Sequence, residues 1–460
     1  MISGLPFIPA GLICVMFVSL EHCVIADDHY AAQNGQTPAG NYSSWLTAAS
    51  NIQDAVNAAS INDTVWVGSG RYTVPPDATN YLGTNVVFIN RPLVLRSSNG
   101  TPESVVIDGG GTNRGIAWYI RVTSTNMFVL DGLTISNCLG LSLGGGIYYE
   151  QFPYTGVVRN CIICDNRVVY YNGMSRGGGI GEYNSSGGNF SFAASNCVIR
   201  NNRAMHGGAG SGLKGEGGGI MFRSGGSMLL SMRDCLIESN LATDGGGINT
   251  VGMDQSFHNC IFRGNQAVVL DSGVASSGIG GGALKSNGKV TMRNCLLNNN
   301  FTDGSGGWGG GGGGIFEDWG ATLYMYNCTV TSNRPTGMAF RTGGPLVGCN
   351  SIVYSNYNNG DIAYHTTVSS AYTNICIRST NALVGAAISG YITNNPLFVN
   401  YAGQNFRVSC DSPCVNAGVH QSWMDGAPDL DNHSRIDRFS GMVDIGSYEY
   451  HPRGMMFKVR

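Results

Sequence analysis

The heptad "NCVIRNN" at 196–202 returns as "NCIICDN" at 160–166, "DCLIESN" at 234–240, "NCIFRGN" at 259–265, "NCLLNNN" at 294–300 and "NCTVTSN" at 327–333. With Ser in place of Cys it returns again as "NSIVYSN" at 350–356, and a looser copy, "GLTISNC", starts at 132. Successive starts are 23 to 38 residues apart. Self-similarity at roughly 20–50 residues signals a solenoid, a propeller or an array. An irregular period means a constant core with loops of variable length. A second marker lies between heptads: "GGGI" at 144, 177, 217, 245 and 312, and "GGGA" at 280.

The side-chain phase reads as strand. Within the heptad, Cys and the residue two later form the apolar pair, as in Cys197/Ile199, Cys235/Ile237, Cys295/Leu297 and Cys328/Val330. A period of two is the strand period. Upstream lies a second alternating pair: Phe192/Ala194, Leu230/Met232, Val290/Met292 and Leu323/Met325. The phase flips at the Asn or Asp between the two pairs, so both can face one core only if the chain turns a corner there. Asn and Asp suit such corners because they tolerate the left-handed conformation. The glycine triplet marks a further corner.

Three short strands and their corners per turn predict an all-β chain wound as a right-handed parallel β-helix. Equal positions of stacked coils then lie ~4.8 Å apart and form ladders. Cys161, Cys197, Cys235, Cys260, Cys295 and Cys328 form one ladder, continued by Leu133 and Ser351. Asn166, Asn202, Asn240, Asn265, Asn300, Asn333 and Asn356 form another, suited to passing amide hydrogen bonds along a bend. A propeller blade needs ~40–45 residues, more than the shortest spacings here allow.

The ends differ from the repeat. "SNIQDAVNAAS" (50–60) reads as a short helix with Ile52, Ala55, Val56 and Ala59 on one face, ahead of the strand "DTVWV" at 63–67, and should cap the first coil. The repeat fades after 356, and 394–460 reads as a separate C-terminal region, leaving 27–393 as the β-helix with its cap.

Composition narrows the function classes. Gly is 69 of 460 residues and charged residues are only 12%, with 42% hydrophobic, which is neither a collagen nor a disordered chain. The net charge of −3 provides no basic field for nucleic acid. The apolar run "LPFIPAGLICVMFVSL" (5–20) is short and Pro-interrupted for a membrane span, and "VIA" at 24–26 suits cleavage after Ala26. Residues 1–26 therefore read as a signal peptide, although no Lys or Arg precedes Arg71. No integral span is expected in the mature chain, and a secreted or cell-surface location follows.

The cysteine ladder argues against a metal centre, because ligands must converge and these lie on one line. It argues equally against bridges between neighbours, since parallel stacked Cβ vectors give a poor dihedral. The bland reading is small buried hydrophobes. Cys376 and Cys414, outside the ladder, form a possible disulfide in an exported chain. "GSGLKG" (210–215) matches a dinucleotide fingerprint by letters alone, without the strand–turn–helix setting it needs. "DLDNH" (429–433) reads as a polar turn, lacking the downstream Gly and Glu of a calcium loop. No metal or cofactor is expected.

The line two residues beyond the Ile or Ala of each glycine motif reads Tyr149, Glu182, Phe222, Thr250, Lys285 and Glu317. Unpaired charges avoid a core, so this line is expected to face out, with Lys285 and Glu317 one coil apart. Long loops at 203–216 and 301–311 lead into it with Lys214, Glu216 and Trp308, and Asp318 and Trp319 follow. Carboxylates beside aromatics on a long face suit an extracellular polysaccharide or cell-surface glycan. The competing reading is a solvated face with a surface ion pair.

The "NCxI…N" heptads with "GGGI" resemble the repeats of polymorphic outer-membrane and pectin-lyase-like β-helix proteins. "SSWLTAASNIQDAVNAASINDTVWVGSGRY" (43–72) looks like the opening of secreted bacterial β-helix proteins. "NPLFVN" (395–400), "SPCVNAG" (412–418), "DLDNHSRI" (429–436) and "VDIGSYEY" (443–450) are similar to a choice-of-anchor Q domain. The resemblance implies export and a β-helix. Pectin-lyase-like proteins include lyases and glycosidases, but their Asp-rich calcium sets and their N-T-D, D-D and G-H-G sets have no counterpart here, so no catalytic residue transfers. Three functions stay open: a non-catalytic glycan-binding or adhesive surface protein, a polysaccharide lyase or glycoside hydrolase, and a structural envelope protein. The acid/base candidates for the second are Glu182, Lys285, Glu317 and Asp318.

Overall fold

The heptad folds as one short strand between two left-handed corners. In "NCVIRNN", Asn196 has φ 51°, Val198–Arg200 is a strand, and Asn201 has φ 55°. The same pair of corners recurs at Asn160 and Asp165, Asp234 and Ser239, Asn294 and Asn299, and Asn327 and Ser332. Asn, Asp and Ser recur there because side chains with a Cβ branch pay more in this region. The computed structural model describes residues 26–75, 79–80, 83–119, 127–150, 155–170, 173–183, 190–206, 214–223, 228–269, 279–303, 311–320, 322–342, 344–357, 360–364, 370–383, 386–438 and 440–451. The expected signal peptide, apart from Ala26, lies outside the described residues.

Among these residues, 23 strands join one long sheet whose pairs are all parallel, each coil registering on the next. Phe192 pairs with Leu230, and Val290 with Leu323, as the phase argument requires. A second parallel face carries the strands that follow the glycine triplets, from Ile147–Glu150 to Ile362–Tyr364. A short ladder not read from the sequence follows the Asn line: Leu139–Leu141, Arg167–Tyr170, Arg203–His206, Leu241–Ala242, Gln266–Ala267 and Phe301–Thr302. The result is a parallel β-helix with one continuous apolar interior.

The two ladders have distinct chemistry. Every ladder cysteine is buried. Backbone bonds join the rungs: Val198 N–H donates to Cys161 O, Leu236 to Cys197 O, and Ile261 to Cys235 O. Each thiol also donates back across its corner, Cys161 Sγ to Arg159 O at 3.1 Å and Cys295 Sγ to Arg293 O at 3.3 Å. Ser351 makes the same bond, Oγ to Cys349 O at 3.0 Å. The residue is thus a small donor and not only a small hydrophobe, which explains why Ser replaces Cys in the last copy. Burial pushes the Cys161 thiol up to about 12.

The Asn ladder is continuous. Asn166 Nδ2 donates to Asn202 Oδ1 at 3.0 Å, Asn202 to Asn240, Asn240 to Asn265, Asn265 to Asn300, Asn300 to Asn333 and Asn333 to Asn356. Each Nδ2 gives its other hydrogen to a carbonyl of the preceding coil, such as Ile237 O for Asn265. Each Oδ1 also accepts the backbone N–H of the preceding ladder residue, as Asn265 Oδ1 does from Asn240 N. The line ends on Asp361, which accepts both N–H groups of Asn356.

The glycine triplets meet a separate demand at each position. Gly245 has φ 64°, and a Cβ on Gly246 would lie 2.2 Å from Gln266 O in the next coil. A Cβ on Gly247 would lie 2.4 Å from Ala283 O.

Both ends are protected differently from the middle. The helix Ile52–Ala58 is capped by Asn51, whose side chain accepts from Asp54 N, and buries Ile52, Ala55 and Val56. Its Gln53 side chain accepts from Phe88 N at 2.7 Å and donates to Phe88 O at 3.0 Å, bonding the edge of strand Gly83–Ile89 as another strand would. At the other end, parallel strands continue to Ile392. The chain then turns back along the flank of the long sheet. Leu296 packs with Phe406 and Tyr448, Asn327 Nδ2 donates to Asp444 O at 3.0 Å, and Asn350 Nδ2 to Val419 O at 2.7 Å. This region therefore covers the side of several coils, while Ala387–Tyr391 in the last strand remains exposed. Within it, fully buried Arg435 pairs with Glu449 at 3.2 Å. Cys376 and Cys414 lie in one buried cluster as thiols, and contact with Cys414 together with burial holds the Cys376 thiol far up.

Candidate functional site

The glycine corner sets the phase of the strand that follows it. Ile147, Ile180, Ile220, Ile248, Ile315 and Met338 point into the core, so the residue two later points inward as well. Tyr149, Glu182, Phe222, Thr250 and Glu317 are at most 2% exposed. The expectation that this line faces solvent is corrected. Burial disfavours the charged form of both carboxyls. Burial raises Glu182 well above its ordinary value, only partly offset by the Arg223 amide. Burial, then the neighbouring Asp318 charge, raises Glu317 in the same direction. The Glu317 carboxyl has no hydrogen-bond partner among the described residues.

Lys285 does not belong to this line. Leu284, not Ala283, pairs with Ile248 and Ile315, so the working motif is Gly281-Gly282-Ala283-Leu284 and Gly280 stands outside it. A one-residue slip moves a side chain to the other face. Lys285 therefore stands next to Phe316 in register, and Glu317 next to Ser286. Lys285 and Glu317 lie on opposite faces of the sheet.

Outside the sheet, charges of alternating sign link successive coils. Arg176 Nε lies 3.0 Å from Glu216, and Lys214 Nζ lies 3.9 Å from Asp244. Lys285 Nζ is 2.5 Å from Asp244 and 3.9 Å from Asp318, whose other oxygen is 3.1 Å from Arg341. Four cations thus face three carboxylates along the strip. Arg341 stacks on one face of Trp319, 4.7 Å from its centroid, while Trp319 is 67% exposed. Of the expected face, Lys285, Asp318 and Trp319 lie on the outer side of the sheet, with Lys285 and Asp318 largely covered and Trp319 exposed; Tyr149, Glu182, Phe222 and Glu317 are inside; Trp308 lies outside the described residues. Asp244, Arg176 and Arg341 were missed. A signal existed for two of them: Arg176, Glu216 and Asp244 each occupy the position just before a glycine triplet.

A second concave surface, of about 580 Å³, lies by the first coils and is lined by Tyr30, Gln33, Asn34, Trp45 and Trp66. Trp66 Nε1 donates to Asp28 at 2.9 Å, and Arg96 covers its ring at 4.6 Å. No helix among the described residues is long and apolar enough to cross a membrane.

No protein-family model matches the chain, and no curated protein matches it. Among solved structures it is similar to pectate lyase Pel9A, with a TM-score of 0.52 and 14% identity over 92% of this chain and 96% of that one. A fainter likeness to a rice weevil pectin methyl esterase, TM-score 0.29 and 11% identity over 57% of this chain and 81% of that one, carries no weight. At such identity a match speaks for architecture and not for activity. The chain has the parallel β-helix, pectin-lyase-like fold.

Proposed function

We propose that this protein is exported and binds an extended, carboxylate-bearing polysaccharide along the outer strip, without cleaving it. The observation that carries this reading is the exposed Trp319 ring, backed by Arg341 and adjoining Lys285. A sugar ring can stack on the exposed face of the indole while uronate carboxylates meet the cations of the strip. The solved neighbour is a pectate lyase, and pectate is an acidic polysaccharide, which favours that ligand class. Non-catalytic binding is favoured because each strip carboxylate already faces a cation, and the two remaining carboxyls, Glu182 and Glu317, are inside the rod.

Glycan-array binding of the mature protein is expected on uronate-containing ligands. Trp319→Ala should weaken it about 10-fold, or ~1.4 kcal/mol. Unchanged affinity in that variant would remove the strip from the reading. A second reading, a polysaccharide lyase or glycoside hydrolase, rests on Lys285, whose amine stands between two carboxylates from different coils. It requires unsaturated ends or new reducing ends on a panel of uronate and neutral glycans, abolished by Lys285→Met. Silence in both assays would leave a structural envelope protein.

Export has its own consequence. In an oxidising compartment the adjacent Cys376 and Cys414 thiols should be joined by oxidation at the expense of a disulfide-donating partner, which is reduced in turn. Mass spectrometry of unreduced, secreted protein should show a linked peptide lacking two hydrogens. Full alkylation of both cysteines after denaturation without reductant would exclude the bridge.

A further inference from the structure

The C-terminal flank brings two imidazoles and a carboxylate together where the sequence reading saw only a polar turn. Asp429, at 0% exposure, is locked by backbone donors: its Oδ1 accepts from Asp431 N at 2.9 Å and His433 N at 2.8 Å, and its Oδ2 from Glu449 N at 2.8 Å. His433 Nδ1 stands 4.0 Å from that Oδ2. The His451 ring, from beyond the last strand-like segment, lies 4.3 Å from the His433 ring, centroid to centroid, at 63°. One donor atom from each of Asp429, His433 and His451 falls within 4.8 Å of the others. His433 and His451 border a cleft of about 760 Å³ that also presents Arg407, Cys410 and Asp431.

We propose that Asp429, His433 and His451 bind a divalent transition cation of the zinc class. Two nitrogens and one oxygen are a donor set for zinc, copper or nickel; calcium would ask for six to eight oxygens. Three protein ligands leave a fourth position open to the cleft. With bonds of ~2.0–2.1 Å, tetrahedral ligand atoms sit ~3.3 Å apart. Reaching that spacing takes modest rotation of two solvent-exposed rings, while the buried carboxylate stays where its three N–H donors hold it. Those donors act as outer-shell orienters. Buried Arg435 behind the site pairs with Glu449 at 3.2 Å, and Asp429 and Asp444 share its charge. A bound cation would tie the 429–433 turn to residue 451 and pin the end of the flank against the coils.

The test uses the untagged full chain, stripped with a chelator, and zinc chloride alone as the probe. Calorimetric titration should give one equivalent with a Kd below about 10 μM, and calcium chloride should give no heat of binding. His433→Ala and His451→Ala should each weaken zinc binding about 10-fold or more. Both rings are exposed, so the metal-free melting temperature of these variants should match the parent. Zinc should raise the melting temperature of the parent but not of the variants. Binding weaker than about 100 μM, or equal binding in both histidine variants, would overturn the site. So would loss of binding in Cys410→Ser while the histidine variants retain it, because the exposed thiol would then be the ligand.

Discussion

Asn265→Ala is expected to destabilise the coils around it by about 3–5 kcal/mol, more than an ordinary buried hydrogen bond. The substitution removes one side chain but leaves four groups without their partner. Asn240 loses the acceptor of both its backbone N–H and its Nδ2, Ile237 O loses a donor, and Asn300 Oδ1 loses another. All are buried, so water cannot replace what is lost. Because each coil touches only its neighbours, the damage should be local. Hydrogen exchange should show lost protection centred on residues 237–300, with the first coils, around Val65 and Val67, little changed. A uniform loss along the chain, or a variant as stable as the parent, would show that the amide line is incidental to the fold. Asn265→Asp should be no milder, since it adds a buried negative charge where two N–H groups and two acceptors are arranged for an amide.

Glu317→Leu should stabilise the protein, and increasingly so as pH rises. The folded-state pKa of Glu317 lies well above the ordinary 4.5, with burial the main cause. Below pH 4.5 both folded and unfolded chains hold the proton, and the group adds no pH-dependent penalty. Above it the unfolded chain ionises while the folded one does not, so the unfolded state gains. Stability then falls by up to ~1.4 kcal/mol per pH unit until the folded pKa is reached. The leucine variant lacks that slope. Its advantage in denaturant midpoint over the parent should be smallest near pH 4 and widen as pH rises toward the folded-state pKa, whatever other groups tilt both curves. Parallel stability curves for parent and variant would mean that Glu317 is solvated or paired, and that the inward reading of this line is mistaken.

The inward carboxyls show where charge misleads. The rule that an ionised group avoids a core was applied to Glu182 and Glu317 to turn their line outward. The same rule has a second solution: the group stays buried and surrenders its charge. Strand alternation from Ile180 and Ile315 already required the inward direction, and the continuous ladder enforces it, since turning one residue out would put its isoleucine out as well. Lys285 shows a second limit. Four glycine-like residues in a row, Gly280 to Ala283, allow two alignments of the motif, and only the pairing of Leu284 with its neighbours in adjacent coils chooses between them.

What could be known from residues alone was whatever repeats. Stacking places like upon like, so the heptad carried the coil, the corner at Asn196 and its equivalents, and the Cys and Asn ladders. Each is a local pattern multiplied by translation. What needed the folded chain was everything that happens once. The strip from Arg176 to Arg341 is assembled from single residues on successive coils, each at a different distance along the chain. The flank that covers Leu296 and Asn327, and the meeting of Asp429, His433 and His451, depend on a segment folding back across the coils. A translational repeat carries no record of such contacts, because no ladder position predicts what a non-repeating segment will lie against.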